Sequence, residues 1–527
     1  MNLKQLIDME LTNSKNQTKT HNGADAYNET LNYFLDIFSD ATSIRQEFLN
    51  NNKNSLIKFK EILKLDEKMA IKLLFYLRDV RGGQGEKLVG NMFLITLANE
   101  LPDTFCKIVN LIPHFGSWKD VVYILSKIEN KQSRGSLLSL IYTQLNKDED
   151  CLLLQKLGLP HDNISLLAKW LPSVHTKDKD MKRALNIIVR SIFNGNIVDY
   201  RKRVSALRRH LNLFETKMTD KNWSEVEYSK VPSRAMYKHT KAIYRNDEDN
   251  YSNFLEKVSN GDLKMNASTL NPYDLSKRLN KVFTYGMFES AEDIEKECNY
   301  CNVAWDNLPK LSEVANAKKI LPLIDVSGSM EGTPMDVAIG LGIYVAEQNT
   351  NVFKDAFITF EKNPSLVDLS DCNNFSEKYR KTKHASWGGN TDFDKAMKLI
   401  LDTAIKNKVP SSDMPEYFLI LSDMQFDVAN YYGAPFQATH EKYTELYNKH
   451  GYKLPTVIYW NLSMYDSKFP VVHDELGSIL LSGYSPSVLN IILSGQLEEL
   501  DNITPYSTML TVLDSERYAI VDEMLER

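Results

Sequence analysis

Residues 325–330 read Asp-Val-Ser-Gly-Ser-Met, which places oxygen-bearing side chains at Asp325, Ser327 and Ser329. Carboxylate and hydroxyl oxygens at alternate positions of a tight turn can converge on one hard cation. Such a cation takes oxygen ligands only, and magnesium usually keeps several waters as well. Two later stretches offer the same chemistry. Gly388-Gly389-Asn390-Thr391-Asp392 presents the Thr391 hydroxyl, and Leu421-Ser422-Asp423 presents a second carboxylate. Taken alone, the first hexapeptide also reads as a helix N-cap, because Asp and Ser accept hydrogen bonds from free amides there. Three such stretches together point to a metal site. Asp392 and Asp427 are read as solvated surface acids. His384, the only histidine near the second stretch, is read as a surface residue. Hydrolysis would require a positioned base and an activated water, so these residues favour binding over catalysis.

A scaffold must bring the three stretches together. Ile320–Ile324 is a short apolar run ended by Asp325 and a Gly/Ser turn. Further strands are expected at Ala356–Phe360, Tyr417–Leu421, Thr456–Trp460 and Ser478–Leu481. Helices are expected at Met335–Glu347, Phe393–Ile405, Ala438–Lys449, around Ser487–Leu493, and over Pro505–Leu525. Strands alternating with helices argue for a parallel sheet covered on both faces. In such sheets ligands sit beyond the carboxyl ends of the strands, which is where Asp325 and Asp423 fall.

DVSGSM after a strand, then GGNTD, then LSD, in this order, resemble the metal-ion-dependent adhesion site of von Willebrand A domains. The resemblance implies a Rossmann-like, doubly wound α/β domain over residues 317–527. It assigns Asp325, Ser327 and Ser329 to the first metal loop, Thr391 to the second and Asp423 to the third, around Mg2+, or Mn2+ or Ca2+. In that family the Ser and Thr oxygens touch the metal, the Asp residues act directly or through water, and a partner protein's carboxylate fills the open coordination position.

From Ala26 to about Gly286 the apolar spacing is helical, as in Lys68–Leu77, Leu88–Leu97, Leu137–Leu145 and Ala184–Phe193. An all-α array over residues 25–310 is therefore expected, preceded by an Asn-, Thr- and Lys-rich flexible arm at 1–24. Thr20–Ala24 with Leu31–Phe34 and Asp36–Phe38, Leu77–Lys87 (LRDVRGGQGEK) and His114–Asp120 (HFGSWKD) resemble TROVE modules, the helical-repeat ring of the Ro ribonucleoprotein. Ala168–Ser173 and Val231-Pro232-Ser233 are more similar to a family of uncharacterised plant, fungal and large-virus proteins with the same two-part architecture. Together the resemblance runs from about residue 20 to the end.

Gly82, Gly83 and Gly85 invite a phosphate-binding interpretation. The spacing is not that of a P-loop, because Gly85 is followed by Glu86-Lys87, and the cluster follows a helix and not a strand. A helix C-cap with glycine at positive φ is the expected structure. Residues 181–245 are a better candidate for nucleic acid. They carry fifteen Lys and Arg against five Asp and Glu, a net charge of +10 in a chain of −6. Arg201, Lys202, Arg203, Arg208, Arg209, Lys238, Lys241 and Arg245 are the candidate residues for binding RNA or an acidic partner. Tyr200, Tyr237 and Tyr244 are interleaved to stack on exposed bases, with Trp223 as a further candidate. The Ro resemblance implies structured or single-stranded RNA. A solvated face balanced by the acidic remainder of the chain is the alternative.

Composition sets the outer limits. At 527 residues the chain is too long for one core, and 43% hydrophobic with 25% charged residues is ordinary for a globular protein. No run of about 18 apolar residues suggests a membrane span, and the first residues are too polar and acidic for a secretory signal. The five cysteines include one C-x-x-C, Cys298 and Cys301, without a second pair to complete a zinc site. Reduced thiols in a cytosol-like compartment follow. The expected function is a non-enzymatic, metal-dependent protein-interaction scaffold, cytoplasmic or packaged in a virion, with RNA on its basic helical face. The alternatives are a structural component of a virion or ribonucleoprotein particle, or a magnesium-dependent hydrolase or nuclease. The Asn-, Lys- and Ile-rich composition fits an AT-rich, large-virus genome.

Overall fold

The computed structural model describes residues 15–285, 290–360, 364–385, 393–426, 439–464, 468–494 and 502–526. They form two compact units, each drawn from separate stretches of sequence. One comprises the residues up to Leu65 with Ala267–Ser515; the other comprises Asp66–Asn266 with the residues from Glu516 onward.

The first unit is a mixed α/β structure. A small antiparallel hairpin, β1 (Gln17–Lys19) and β2 (Asp25–Tyr27), opens it. The main sheet contains β3 (Ile320–Asp325), β4 (Ala356–Phe360), β5 (Ser365–Asp368), β6 (Tyr417–Ser422), β7 (Thr456–Asn461) and β8 (Ser478–Ser482), in the order β5-β4-β3-β6-β7-β8. All neighbours are parallel except β4 and β5. Every residue of β3, β6, β7 and β8 is buried, the signature of a parallel sheet covered on both faces. The helix Thr333–Gln348 returns across β3 at close range: a Cβ at Gly342 would lie 2.2 Å from Ile324 Cδ1. Trp460 of β7 is fully buried and donates its indole N–H to the Gly483 carbonyl at 2.8 Å.

The expected strands are all present, and β5 and the helix Phe375–His384 are additions to them. β5 is four residues on the sheet edge with half its side chains exposed, so its sequence carries no apolar run to mark it. The helix expected over Pro505–Leu525 is two helices, Pro505–Leu513 and Glu516–Glu526.

Every regular element among the described residues of the second unit is a helix. The unit includes Glu67–Arg78, Lys87–Glu100, Trp118–Lys127, the 26-residue Lys131–Lys156, Lys179–Ile192, Ile197–His210 and Ser233–Ser259, the last kinked at Asp247. The segments around Arg78 and Asp120 meet in its core. Arg78 pairs with Asp120, both essentially buried, and Asp120 also receives Lys87 Nζ at 3.2 Å, Ser117 Oγ at 2.9 Å and Asn91 Nδ2 at 3.3 Å. Burial works against the Asp120 carboxylate, but Arg78 and Lys87 outweigh it and hold its pKa below the ordinary value. Fully buried Asp79 takes the Arg517 guanidinium, with Nη2 at 2.6 Å from Oδ1. The terminal helix is thereby tied to the start of the glycine turn.

The turn itself is a helix C-cap. The amides of Gln84, Gly85 and Glu86 return to the carbonyls of Tyr76, Asp79 and Leu77 at 3.0, 2.9 and 2.7 Å. Gly85 has φ +69°, and a Cβ at Gly83 would lie 2.0 Å from the Tyr76 carbonyl oxygen. Three of the loop's amides are thereby spent on the helix end, as the C-cap reading expects.

The domain boundaries differ from those expected. Residues 25–65 and 267–310, expected in the helical array, pack with the sheet, while the terminal helix Glu516–Glu526 packs with the helical unit. Residues 15–24, expected in a flexible arm, are held in and beside the β1–β2 hairpin. Thr42 Oγ1 donates to the Ser463 carbonyl at 2.8 Å, and Tyr27 exchanges backbone hydrogen bonds with Phe469 at 2.9 Å. Helical spacing shows that a segment buries one face; it does not show against which core. Removing one partner of a buried ion pair leaves the other uncompensated, so Asp120→Ala is expected to cost about 3–5 kcal/mol. Denaturant unfolding followed by far-UV circular dichroism checks this, and a loss below about 1 kcal/mol, the surface-pair value, would refute it.

Candidate metal centre

The site lies where β3 and β6 run side by side at the centre of the sheet. After β4 and β5 extend the sheet on one side of β3, the chain crosses to β6 on the other. Such a switch point opens a crevice at the strands' carboxyl ends. The parallel register pairs Ile324 with Leu421, so Asp325 and Ser422, the next residues, end the two strands side by side.

Four of the five residues expected to hold metal meet there. Asp325 is fully buried and accepts the Ser327 amide on Oδ1 at 2.9 Å. Ser327 Oγ lies 3.1 Å from Ser329 Oγ, and the Ser329 hydroxyl is among the groups that hold the Asp423 pKa down against burial. Asp423 accepts the Gln425 amide at 3.1 Å. Met424, between them, adopts φ 63°, a left-handed conformation uncommon for a residue with a side chain. Thr391 lies outside the described residues, as do Asp392 and Asp427. His384 is exposed at the end of Phe375–His384.

Sequence reasoning missed Ser422. Its hydroxyl, wholly buried, donates to Asp325 Oδ2 at 2.6 Å and accepts the Met424 amide at 3.1 Å. It therefore links the first and third loops. Its position at the last residue of an apolar strand, directly before Asp423, was the available signal.

The electrostatics of the pair are unbalanced. Burial, then the neighbouring Asp423 carboxylate, raises the Asp325 pKa from 3.8 to about 7, opposed by hydrogen bonds from Ser422 and Ser327. Burial likewise raises Asp423, opposed by the Gln425 amide and the Ser329 hydroxyl. None of these influences is a cationic side chain. Buried charges ordinarily pair with an opposite charge or coordinate a metal, and an all-oxygen donor set suits Mg2+, Mn2+ or Ca2+. The residues present therefore fit a divalent cation. Among the described residues no group of three or more His, Cys, Asp or Glu side chains is placed to hold a metal; this site joins two carboxylates to hydroxyls.

The basic helical face is partly redirected inward. Arg203 binds Glu149 through Nε at 2.6 Å and Nη2 at 2.7 Å, and Asn146 at 2.9 Å. Arg208 donates to the carbonyls of Ala168, at 2.7 Å, and Leu171. Arg201, Lys202, Arg209, Lys238, Lys241 and Arg245 remain exposed, on the helices Ile197–His210 and Ser233–Ser259. Tyr200 and Tyr244 are 1% and 8% exposed, and Tyr200 is anchored by its hydroxyl to the Pro172 carbonyl. Neither can stack on a base. Tyr237 and Trp223 are half-buried.

Comparison with known proteins places the chain. A protein of Acanthamoeba polyphaga mimivirus, "Uncharacterized protein L728", is 30% identical over 528 residues, covering 95% of this chain and 87% of that one. The chain belongs to the family of this mimivirus protein. Residues 319–517 match the model of a domain of unknown function, DUF7788, and residues 194–314 that of another, DUF2828. The first match contains all the described metal-site residues; the second crosses from the helical unit into the sheet unit. No helix among the described residues is long and apolar enough to cross a membrane.

The raised Asp325 pKa has a pH consequence. Between about pH 4 and 7 the folded state binds a proton that the unfolded state has lost, so the metal-free protein loses stability as pH rises through that window. Metal needs the ionised carboxylate and displaces the proton. Millimolar MnCl2 is therefore expected to raise the melting temperature more at pH 8 than at pH 5.5, with the difference abolished in Asp325→Asn. Equal shifts at both pH values in the native chain would contradict the assignment.

Proposed function

We propose that the sheet unit is a von Willebrand A-type domain whose metal-ion-dependent adhesion site captures a carboxylate from a partner protein, making this chain a non-enzymatic, metal-dependent interaction scaffold. Asp325, Ser327, Ser329 and Asp423 hold the cation, and Thr391 completes the set by the sequence resemblance. Mg2+ is the expected ion, with Mn2+ and Ca2+ as substitutes. The observation that carries this reading is the meeting of two buried carboxylates and two serine hydroxyls at the switch point of a parallel sheet, with no cationic side chain named among the described groups that shift the carboxylates. The bound metal supplies an electrophilic coordination position; the chain's own contribution is to orient the oxygens and exclude water behind Asp325.

The six exposed cations favour a second activity for the helical unit, binding of single-stranded or structured RNA in the manner of TROVE modules. Clustered Lys and Arg on a helical surface give salt-dependent, sequence-tolerant affinity for phosphates. The mimivirus relative supports a large-virus setting, in the cytoplasm of an infected cell or inside the particle.

Affinity purification from the native source, with magnesium or with chelator, tests the first activity. Partners retained by the native chain are expected to be lost with chelator and with Asp423→Ala, at unchanged circular dichroism. Identical partner sets in all three would dismiss it. For the second, Arg201→Glu with Lys202→Glu is expected to weaken binding to an oligouridylate. The slope of log K against log salt should flatten by about 0.7 for each phosphate that is no longer neutralised. An unaltered slope would remove these two residues from the interface.

A further inference from the structure

The turn of the β1–β2 hairpin lies directly against the third metal loop. Thr20 Oγ1 donates to the Phe426 carbonyl, Asn22 Nδ2 to the Gln425 carbonyl, and the His21 amide to Gln425 Oε1, each at 2.7 Å. The two segments are more than 400 residues apart in sequence and contribute three short hydrogen bonds to one another. They meet two residues beyond Asp423, immediately after Met424 at φ 63°. A left-handed residue with a side chain persists only where its surroundings over-determine it. Here Ser422 holds the Met424 amide from one side, and the hairpin turn holds the next two carbonyls from the other.

The turn is itself rigidly built. The Thr20 amide donates to the Ala24 carbonyl at 2.8 Å, the Gly23 amide to the Thr20 carbonyl at 2.9 Å, and the Ala24 amide to Thr20 Oγ1 at 3.0 Å. Thr20 is 5% exposed, so its hydroxyl is an internal joint, accepting from the turn and donating to the metal loop. His21, at the tip, is exposed.

We infer that the turn Thr20–Gly23 is a positioning element of the metal site, holding the third loop so that Asp423 faces Ser329 and Asp325. This rests on the metal-binding reading given above. Thr20 and Asn22 act through the loop backbone and touch no metal ligand. Their effect on the site is therefore a coupling free energy, which is reciprocal: the turn raises metal affinity, and bound metal steadies the turn.

Calorimetric titration of MnCl2 into the full chain at pH 8 tests the inference on the native protein, Thr20→Val, Thr20→Ser and Asn22→Ala. Thr20→Val and Asn22→Ala are each expected to weaken Mn2+ binding about three- to tenfold, the range for one lost hydrogen bond, while Thr20→Ser keeps the hydroxyl and native affinity. In the native chain Mn2+ is expected to slow hydrogen exchange at the Gly23 and Ala24 amides. A hairpin with a packing role alone would lower the metal-free melting temperature in the variants and leave both Mn2+ affinity and exchange unaltered, which overturns the inference. Should Thr20→Val fail to fold, Asn22→Ala and the exchange measurement on the native chain decide the matter. No Mn2+ uptake by the native chain overturns the metal reading, and this inference with it. Native uptake with equal affinity in Thr20→Val and Asn22→Ala overturns this inference alone.

Discussion

Two buried carboxylates, with no cationic side chain named among the described groups that shift them, are the constraint around which the sheet unit is organised. A buried ionised carboxylate is costly unless it is paired or well hydrogen-bonded, and a second one nearby raises the cost of ionising the first. Asp325 and Asp423 are brought together because β3 and β6 are adjacent parallel strands that end in register. Ser422, Ser327 and the Gln425 amide supply hydrogen bonds to both, yet the balance leaves Asp325 with a pKa near neutrality. A proton or a cation in the crevice would supply the remaining compensation.

The helical unit solves the same problem differently. Arg78 answers Asp120, and Arg517 answers Asp79, so these two buried carboxylates are compensated by cations of the chain itself. The segments LRDVRGGQGEK and HFGSWKD, which stand out in the sequence, supply three of these four residues, Arg78, Asp79 and Asp120, together with the C-cap. Their prominence reflects architecture: a left-handed glycine, a backbone approach that tolerates no Cβ, and an ion pair that cannot lose one member. The basic face shows the complementary sorting. Arg203 and Arg208 point to a carboxylate and to helix-end carbonyls, and the exposed cations around them lie where an external polyanion can reach them.

The division of the chain into units shows how weakly sequence order constrains packing. The hairpin and the helices of residues 33–65 belong to the unit of the sheet, Asp66–Asn266 forms the helical unit, and the chain then returns to build β3–β8 before the helix Glu516–Glu526 joins the helical unit again. The hairpin turn, expected from the sequence to open a helical module, is bonded to the loop after Asp423. Each crossing joins segments hundreds of residues apart, which local propensity cannot register.

The sequence by itself determined the chemistry and the local elements of the site. A hydroxyl and carboxylate set at strand ends, in loops of the right order, is a matter of residue type and short-range spacing, and the apolar runs of β3, β4, β6, β7 and β8 report burial on both faces. The edge strand β5 escaped because four half-exposed residues carry no such signal. Tertiary structure alone decided that the Ser422 hydroxyl joins Asp325 to the loop after β6, that Thr20 and Asn22 bond to that loop, that Tyr200 and Tyr244 belong to the core, and that Arg203 and Arg208 face inward. The physical reason is the same in each case. Periodicity records that a side chain is buried or a backbone turns, whereas the identity of the partner depends on which distant segment completes its hydrogen bonds and excludes its water.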